Sequence, residues 1–144
     1  MILVDANLLI YAFDSVSPYN AAARSWLDRQ LSGSSAVGIP WETFSAFLRI
    51  VTNPRIYPGV IPIASAWEQV RAWLQCDVVW IPLPTDRQAI LFGEMLQVPG
   101  LRANDVPDAH LAALAISHGL ILCSADAGFA RFPGLRWTNP LSAR

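Results

Sequence analysis

Four carboxylates in this chain stand where they could act together on one cation: Asp5, Glu42, Asp108 and Asp126. Asp5 directly follows the apolar run Ile2-Leu3-Val4, and Glu42 lies just past Ala36 to Ile39 in the first turn of a helical stretch. Asp108 falls in the first turn of the last long helical stretch, and Asp126 follows Leu120 to Cys123 through Ser124-Ala125. Carboxylates gathered in one place repel one another unless a cation intervenes, so a hard divalent ion is their natural complement. Oxygen-only donors suit Mg2+ or Mn2+, whereas zinc favours His or Cys. Such an ion lowers the pKa of bound water and polarises a phosphate, which is the chemistry of phosphodiester hydrolysis. Each acid also has a plain structural use. Asp5 can cap a helix, Glu42 and Asp108 can complement helix dipoles, and Asp126 can begin an Asx-turn. Four independent caps have no reason to share one end of a sheet, and that shared placement carries the metal reading.

Other chemistries are excluded by what is missing. All ten basic residues are arginine and lysine is absent, so there is no P-loop lysine, no Schiff base and no lysine to pair with an aspartyl nucleophile. His110 and His118 are eight residues apart on one helical stretch, roughly 12 Å along its axis, too far to flank a single phosphate. They read as ordinary surface or internally satisfied histidines. Cys76 and Cys123 lack CxxC spacing and fit unpaired thiols in a reducing compartment. The net charge of −1 does not by itself point to nucleic acid, but without the four proposed ligands ten arginines face seven acids. A metallated site would then sit in a mildly basic surround, with Arg102 the arginine nearest Asp108 in sequence. Trp67 and Trp73 share a helical stretch with an apolar stripe and read as packing residues rather than base-stacking platforms.

The elements that must position the acids alternate between strand and helix. Apolar residues form 53% of the 144-residue chain and charged residues 15%, enough for a core and too few charges for disorder. A helix runs through Leu8 and Ile10; Ser17-Pro18 reads as N-cap and first-turn proline of a helix through Trp26 and Leu31. Ala36 to Ile39 is a strand candidate, and Phe44, Phe47, Leu48 and Val51 form a helical stripe closed by Asn53-Pro54. Pro62 opens a helix carrying Ile63, Trp67, Val70 and Leu74 on one face, and Val78 to Ile81 reads as a strand. Thr85 with Gln88 gives a capping-box signal for a helix to about Val98. A helix from about Pro107 to His118 ends at Gly119, followed by the strand Leu120 to Cys123 and an edge strand at Leu135 to Trp137. Wholly apolar short strands, each followed by a helix, imply a parallel sheet covered on both faces, which binds ligands beyond the carboxyl ends of its strands. No apolar run approaches the roughly 18 residues of a membrane span, and the N-terminus lacks a signal peptide's basic region. The expectation is a soluble cytoplasmic protein, apolar enough to bury a further interface.

Val4-Asp5-Ala6-Asn7, Glu42, the run Asn104-Asp105-Val106-Pro107-Asp108-Ala109-His110-Leu111-Ala112-Ala113, and Ser124-Ala125-Asp126 together resemble the PIN-domain ribonucleases. Within them the chain is most similar to the VapC toxins of bacterial toxin–antitoxin pairs. The resemblance spans the chain from the first strand to Asn139-Pro140 and implies a single PIN-like domain over residues 1–144, with a three-layer α/β/α fold and a short, mainly parallel sheet. It implies Asp5, Glu42, Asp108 and Asp126 as the quartet that holds Mg2+, endonucleolytic cleavage of RNA leaving a 3′-hydroxyl, a homodimer, and a VapB-type antitoxin partner. Asn7 and Ser124 lie beside the site as supporting residues. Asp105 is a further candidate, but Pro107 favours the first helical position and biases Val106 away from helical geometry. That makes Val106 the N-cap and leaves Asp105 outside the helix, and the resemblance likewise places the third acid directly before Ala109. The chain has Gly128 where many relatives carry another acid. A haloacid-dehalogenase-like phosphatase would need an acid at Asn7 and a lysine, and a receiver domain also needs the lysine. The remaining alternative is a catalytically inactive PIN-like module that binds RNA or protein; such a module should lack one or more of the acids.

Overall fold

The computed structural model describes residues 1–142. Five short strands, β1 (Ile2–Val4), β2 (Val37–Gly38), β3 (Val79–Trp80), β4 (Ile121–Cys123) and β5 (Trp137–Thr138), form one sheet in the order β3-β2-β1-β4-β5. Every pairing is parallel. Parallel neighbours need long crossovers, and these carry the helices α1 (Ala6–Phe13), α2 (Asn20–Leu31), α3 (Trp41–Val51), α4 (Ile63–Leu74), α5 (Gln88–Met95) and α6 (Val106–His118). Successive side chains of a strand point to opposite faces, and the two halves of the core follow that alternation. Val4, Val37, Ile39 and Cys123 pack with Leu9, Trp26, Phe44, Phe47, Val70 and Trp73 from α1 to α4. Leu3 and Leu122 point the other way, against Leu91 and Met95 of α5 and Ala112, Ala113 and Leu114 of α6. The expected three-layer α/β/α fold is therefore present. Gly38 is required where it stands, because a Cβ there would meet Pro82 at 2.8 Å and the Ile2 carbonyl at 3.1 Å.

Several local expectations shift. Ser17 caps a turn, its Oγ accepting from the Tyr19 amide, and α2 starts only at Asn20. The Thr85–Gln88 capping box does not form. Thr85 Oγ1 accepts from the Arg87 amide, Gln88 Nε2 instead donates to the His110 carbonyl, and α5 closes at Met95. Val106 adopts helical geometry (φ −59°, ψ −44°) despite preceding a proline, so Asp105, not Val106, is the N-cap of α6. The short 3-10 turn Ala103–Asp105 leads straight into α6 and overrides the preference of a residue before proline. The edge strand lies at Trp137–Thr138, displaced toward the C-terminus from the expected Leu135 to Trp137. Among the described residues, no helix is long and apolar enough to cross a membrane.

Candidate active site

β1 is the middle strand, with β2 and β3 added on one side and β4 and β5 on the other. The β1–β4 crevice is thus the point where the strand order reverses, the usual ligand position in a parallel sheet. Register places Val4 opposite Cys123, so the next residues, Asp5 and Ser124, emerge side by side, and the Asp5 amide donates to the Cys123 carbonyl at 3.0 Å. Asp5 is the N-cap of α1: its Oδ1 accepts from the Ala6 amide at 2.8 Å. Its Oδ2 accepts from Ser124 Oγ at 2.7 Å and from Asn7 Nδ2 at 3.3 Å. An ionised carboxylate offers about four acceptor positions, and three are filled here. The capping role and the metal reading are therefore compatible in one side chain.

Ser124, fully buried, joins the cluster. Its Oγ donates to Asp5 and accepts from Asn7 Nδ2 at 3.0 Å and from the Asp126 amide at 3.0 Å. Asn7 Oδ1 accepts from the Ala125 amide at 3.2 Å, tying α1 to the chain after β4. Behind the cluster, Trp137 Nε1 donates to the Ser124 carbonyl at 3.1 Å. Asp126 begins the anticipated turn, its Oδ1 accepting from the Gly128 amide at 2.8 Å. Glu42 is set by α3, which starts after Pro40 and is fastened to β1 by Thr43, whose buried hydroxyl donates to the Val4 carbonyl at 2.8 Å.

Asp5, Glu42, Asp108 and Asp126 line one open cleft of about 310 Å³, together with Asn7, Thr43, Arg49 and Asn104. Asp105 is not among the lining residues. Its Oδ2 accepts from the Arg102 amide at 2.8 Å and its Oδ1 meets Arg131 at 3.0 Å. Arg131 also reaches Asp108 Oδ2 at 3.8 Å. Sequence reasoning missed Arg131, which no local pattern connects to residues so far away in the chain. It also missed Arg49, whose helical spacing from Glu42 was readable. Arg102, the arginine expected nearest the site, donates its backbone amide to Asp105 at the 3-10 turn and is not among the residues lining the cleft. His118 is satisfied, one ring nitrogen lying 2.7 Å from the Leu83 carbonyl, and His110 packs edge-on against Phe92.

The electrostatics express burial first and crowding of like charge second. Burial pushes the Asp5 carboxyl above its ordinary range; the Ser124 and Ala6 bonds oppose this and Asp126 adds to it. Asp108 is pushed up to about 6, first by burial and then by the charges of Asp5 and Asp126, with Arg131 offsetting only part. Among the described residues no three His, Cys, Asp or Glu side chains already converge closely enough to grip an ion between them. The donor set still fits a Mg2+-like ion, which takes one or two carboxylates directly and keeps several waters. All candidate ligand atoms are oxygens, and among the described residues no hydrogen bond reaches the Asp108 carboxylate, with Arg131 3.8 Å from its Oδ2.

A family model described as "PIN domain" matches residues 2–135. The chain is 41% identical over 140 residues to "Ribonuclease VapC37" of Mycobacterium tuberculosis, covering 97% of both sequences. It is 34% identical over 144 residues to "Ribonuclease VapC43" of the same species, covering 100% of this chain and 98% of that one. Among solved structures, the VapBC2 complex of Rickettsia felis bound to a promoter DNA fragment contains a chain similar at TM-score 0.70 and 17% identity, with coverage of 96% and 98%. VapC20 of M. tuberculosis, described as a Sarcin-Ricin loop cleaving toxin, aligns at TM-score 0.67 and 16% identity, with coverage of 94% and 99%.

Proposed function

The chain belongs to the PIN-domain family, and from that premise we propose that it is a Mg2+-dependent endoribonuclease and the toxin of a VapBC-like toxin–antitoxin pair. One observation carries the reading: four carboxylates from four separate chain segments line a single cleft at the carboxyl ends of the strands, and the charges of Asp5 and Asp126 add to burial in raising the proton affinity of Asp108 there. Such repulsion is unfavourable in the bare protein and is relieved by a cation. The relatives' names support RNA as substrate. Mn2+ is a plausible substitute for Mg2+, having the same preference for oxygen.

In this reading Asp5 and Asp108 would hold the ion, with Glu42 and Asp126 supporting it from the same cleft. When bound, the ion lowers the pKa of its water and stabilises the charge that develops on phosphate. The protein's own part is positioning. Ser124 and Asn7 hold Asp5 Oδ2, Thr43 fixes the start of the helix that carries Glu42, and the Gly128 amide orients Asp126. Asp105 acts one step out, holding Arg131 beside Asp108.

Residues 1–144 act as one domain in this proposal, with a second copy and a VapB-type antitoxin as protein partners. Exposed apolar side chains, among them Trp41, Val60, Ile63 and Trp67, support such contacts. Trp41, at the start of α3, is exposed, while Ile50 near its end is half-buried against the core. Sedimentation at micromolar concentration should return a dimer; a monomer would contradict that part. The decisive test is cleavage of RNA by purified protein with Mg2+, abolished by chelator and by Asp5→Asn. Cleavage that continues in excess chelator removes the metal. Binding without cleavage in the intact protein favours the inactive module.

A further inference from the structure

Arg49 stands apart from the other arginines by its place. It lines the acidic cleft from the last turn of α3, and among the described residues no carboxylate lies within 4.0 Å of it and no hydrogen bond engages its guanidinium. Some arginines have partners, as Arg71 with Glu68, Arg131 with Asp105 and Arg136 with the Gly119 carbonyl, and those without a partner among the described residues, Arg24, Arg55, Arg87 and Arg102, do not line the cleft. Glu42, on the same helix, is seven residues earlier, about 10.5 Å down the axis, so the two share a face without touching. A cation at a helix C-terminus complements the helix dipole, but that role needs no cleft.

Resting on the nuclease reading above, we infer that Arg49 is a substrate-positioning residue that binds a backbone phosphate of the RNA strand adjacent to the phosphate held at the acids. A guanidinium is always charged and its planar fork matches phosphate oxygens. A strand entering a cleft lined by four carboxylates needs a positive anchor beyond the metal to overcome their field, and Arg49 is the arginine lining that cleft. Its separation from Glu42 places the anchor outside the reacting centre, so it acts on binding more than on the chemical step.

The test measures binding of a fluorescently labelled single-stranded RNA by anisotropy, in the uncleaving Asp108→Asn background, from low to moderate salt. Arg49→Gln should weaken binding about tenfold at low salt. It should also lessen the slope of log affinity against log salt by about 0.7, the loss of one phosphate contact on a single strand. Arg49→Lys should restore most of the slope, and in otherwise intact protein Arg49→Gln should raise KM more than it lowers kcat. A merely helix-stabilising arginine would not move the salt slope. If the protein cleaves RNA in a chelator-sensitive way but Arg49→Gln leaves the slope unchanged, this inference fails and the nuclease reading stands. If Arg49→Gln spares RNA binding and weakens the antitoxin complex, Arg49 reads a protein carboxylate and the inference also fails. If intact protein neither binds nor cleaves RNA, the nuclease reading falls and takes the inference with it.

Discussion

Replacing Asp108 by asparagine should make the metal-free protein more stable at neutral to alkaline pH, and the gain should fade in acid. The Asp108 carboxyl is pushed up to about 6 from an ordinary 3.8, and at 1.36 kcal/mol per unit this corresponds to about 3 kcal/mol between fully protonated and fully ionised protein. Its side chain retains 27% exposure, so solvent screening makes that figure a ceiling. Because the folded pKa lies above the unfolded one, the native state binds the proton more tightly. The resulting stability is complete below the unfolded value and is lost as pH rises through the folded one. Between pH 5 and pH 8 the loss is about 1.4 kcal/mol, worth roughly 3–6 °C in a domain of this size. Calorimetry in chelator, with wild type and Asp108→Asn compared at each pH, cancels every group the two share. The variant's lead over wild type should already be present at pH 5, where the unfolded carboxyl is ionised, and should be about 3–6 °C larger at pH 8. Mg2+ at pH 8 should narrow the gap by stabilising only the protein that keeps the ligand. A melting difference that is the same at both pH values would refute the raised proton affinity of the Asp108 carboxyl.

Asp108→Asn should abolish RNA cleavage, whereas Asp105→Asn, which loses its grip on Arg131, should keep measurable activity at a cost of about 10–100-fold; the reverse order in a cleavage assay would overturn the choice of third acid. Ser124→Ala removes one bond to Asp5, leaves the Asp126 amide without its acceptor and leaves Asn7 Nδ2 with only its longer bond to Asp5. Urea unfolding should show a loss of about 1–3 kcal/mol, and cleavage should fall with it. Gly128→Ala places a Cβ 3.0 Å from Asp126 Oδ1, so the half-saturating Mg2+ concentration should rise several-fold; an unchanged Mg2+ titration would remove Asp126 from the ion's surroundings.

The parts of the fold legible in the sequence were those decided within a few residues. Apolar runs ending in Asp5 and Cys123, the stripe Phe44, Phe47 and Val51, and Gly119 closing α6 in a left-handed conformation (φ 67°) are local signals, and each is present. Failures occurred where a distant partner outbid a local one. Gln88 had a nearby amide to cap, but its side chain reached the His110 carbonyl 22 residues on. Val106 was steered by the turn before it rather than by the proline after it. At the candidate site the acids could be named because strand ends are readable from hydrophobicity. The Thr43 bond to Val4, the Trp137 bond to Ser124 and the approach of Arg131 could not, because side chains from different crossovers meet only after the sheet is assembled.

The placement of Asp5 and Ser124 beyond the central strand pair has a consequence for persistence in time. β3 and β5, at the sheet's margins, are two residues long, and short margins are the first parts of a sheet to open. The Asp5 amide is held by Cys123 and the Ser124 amide by Thr138, so the first should exchange with solvent deuterium only in the deepest openings and the second with detachment of β5. Fluctuations that detach β3 would pass the β1–β4 frame by. The two residues that seat the cluster would stay in register through excursions that already expose much of the surrounding chain.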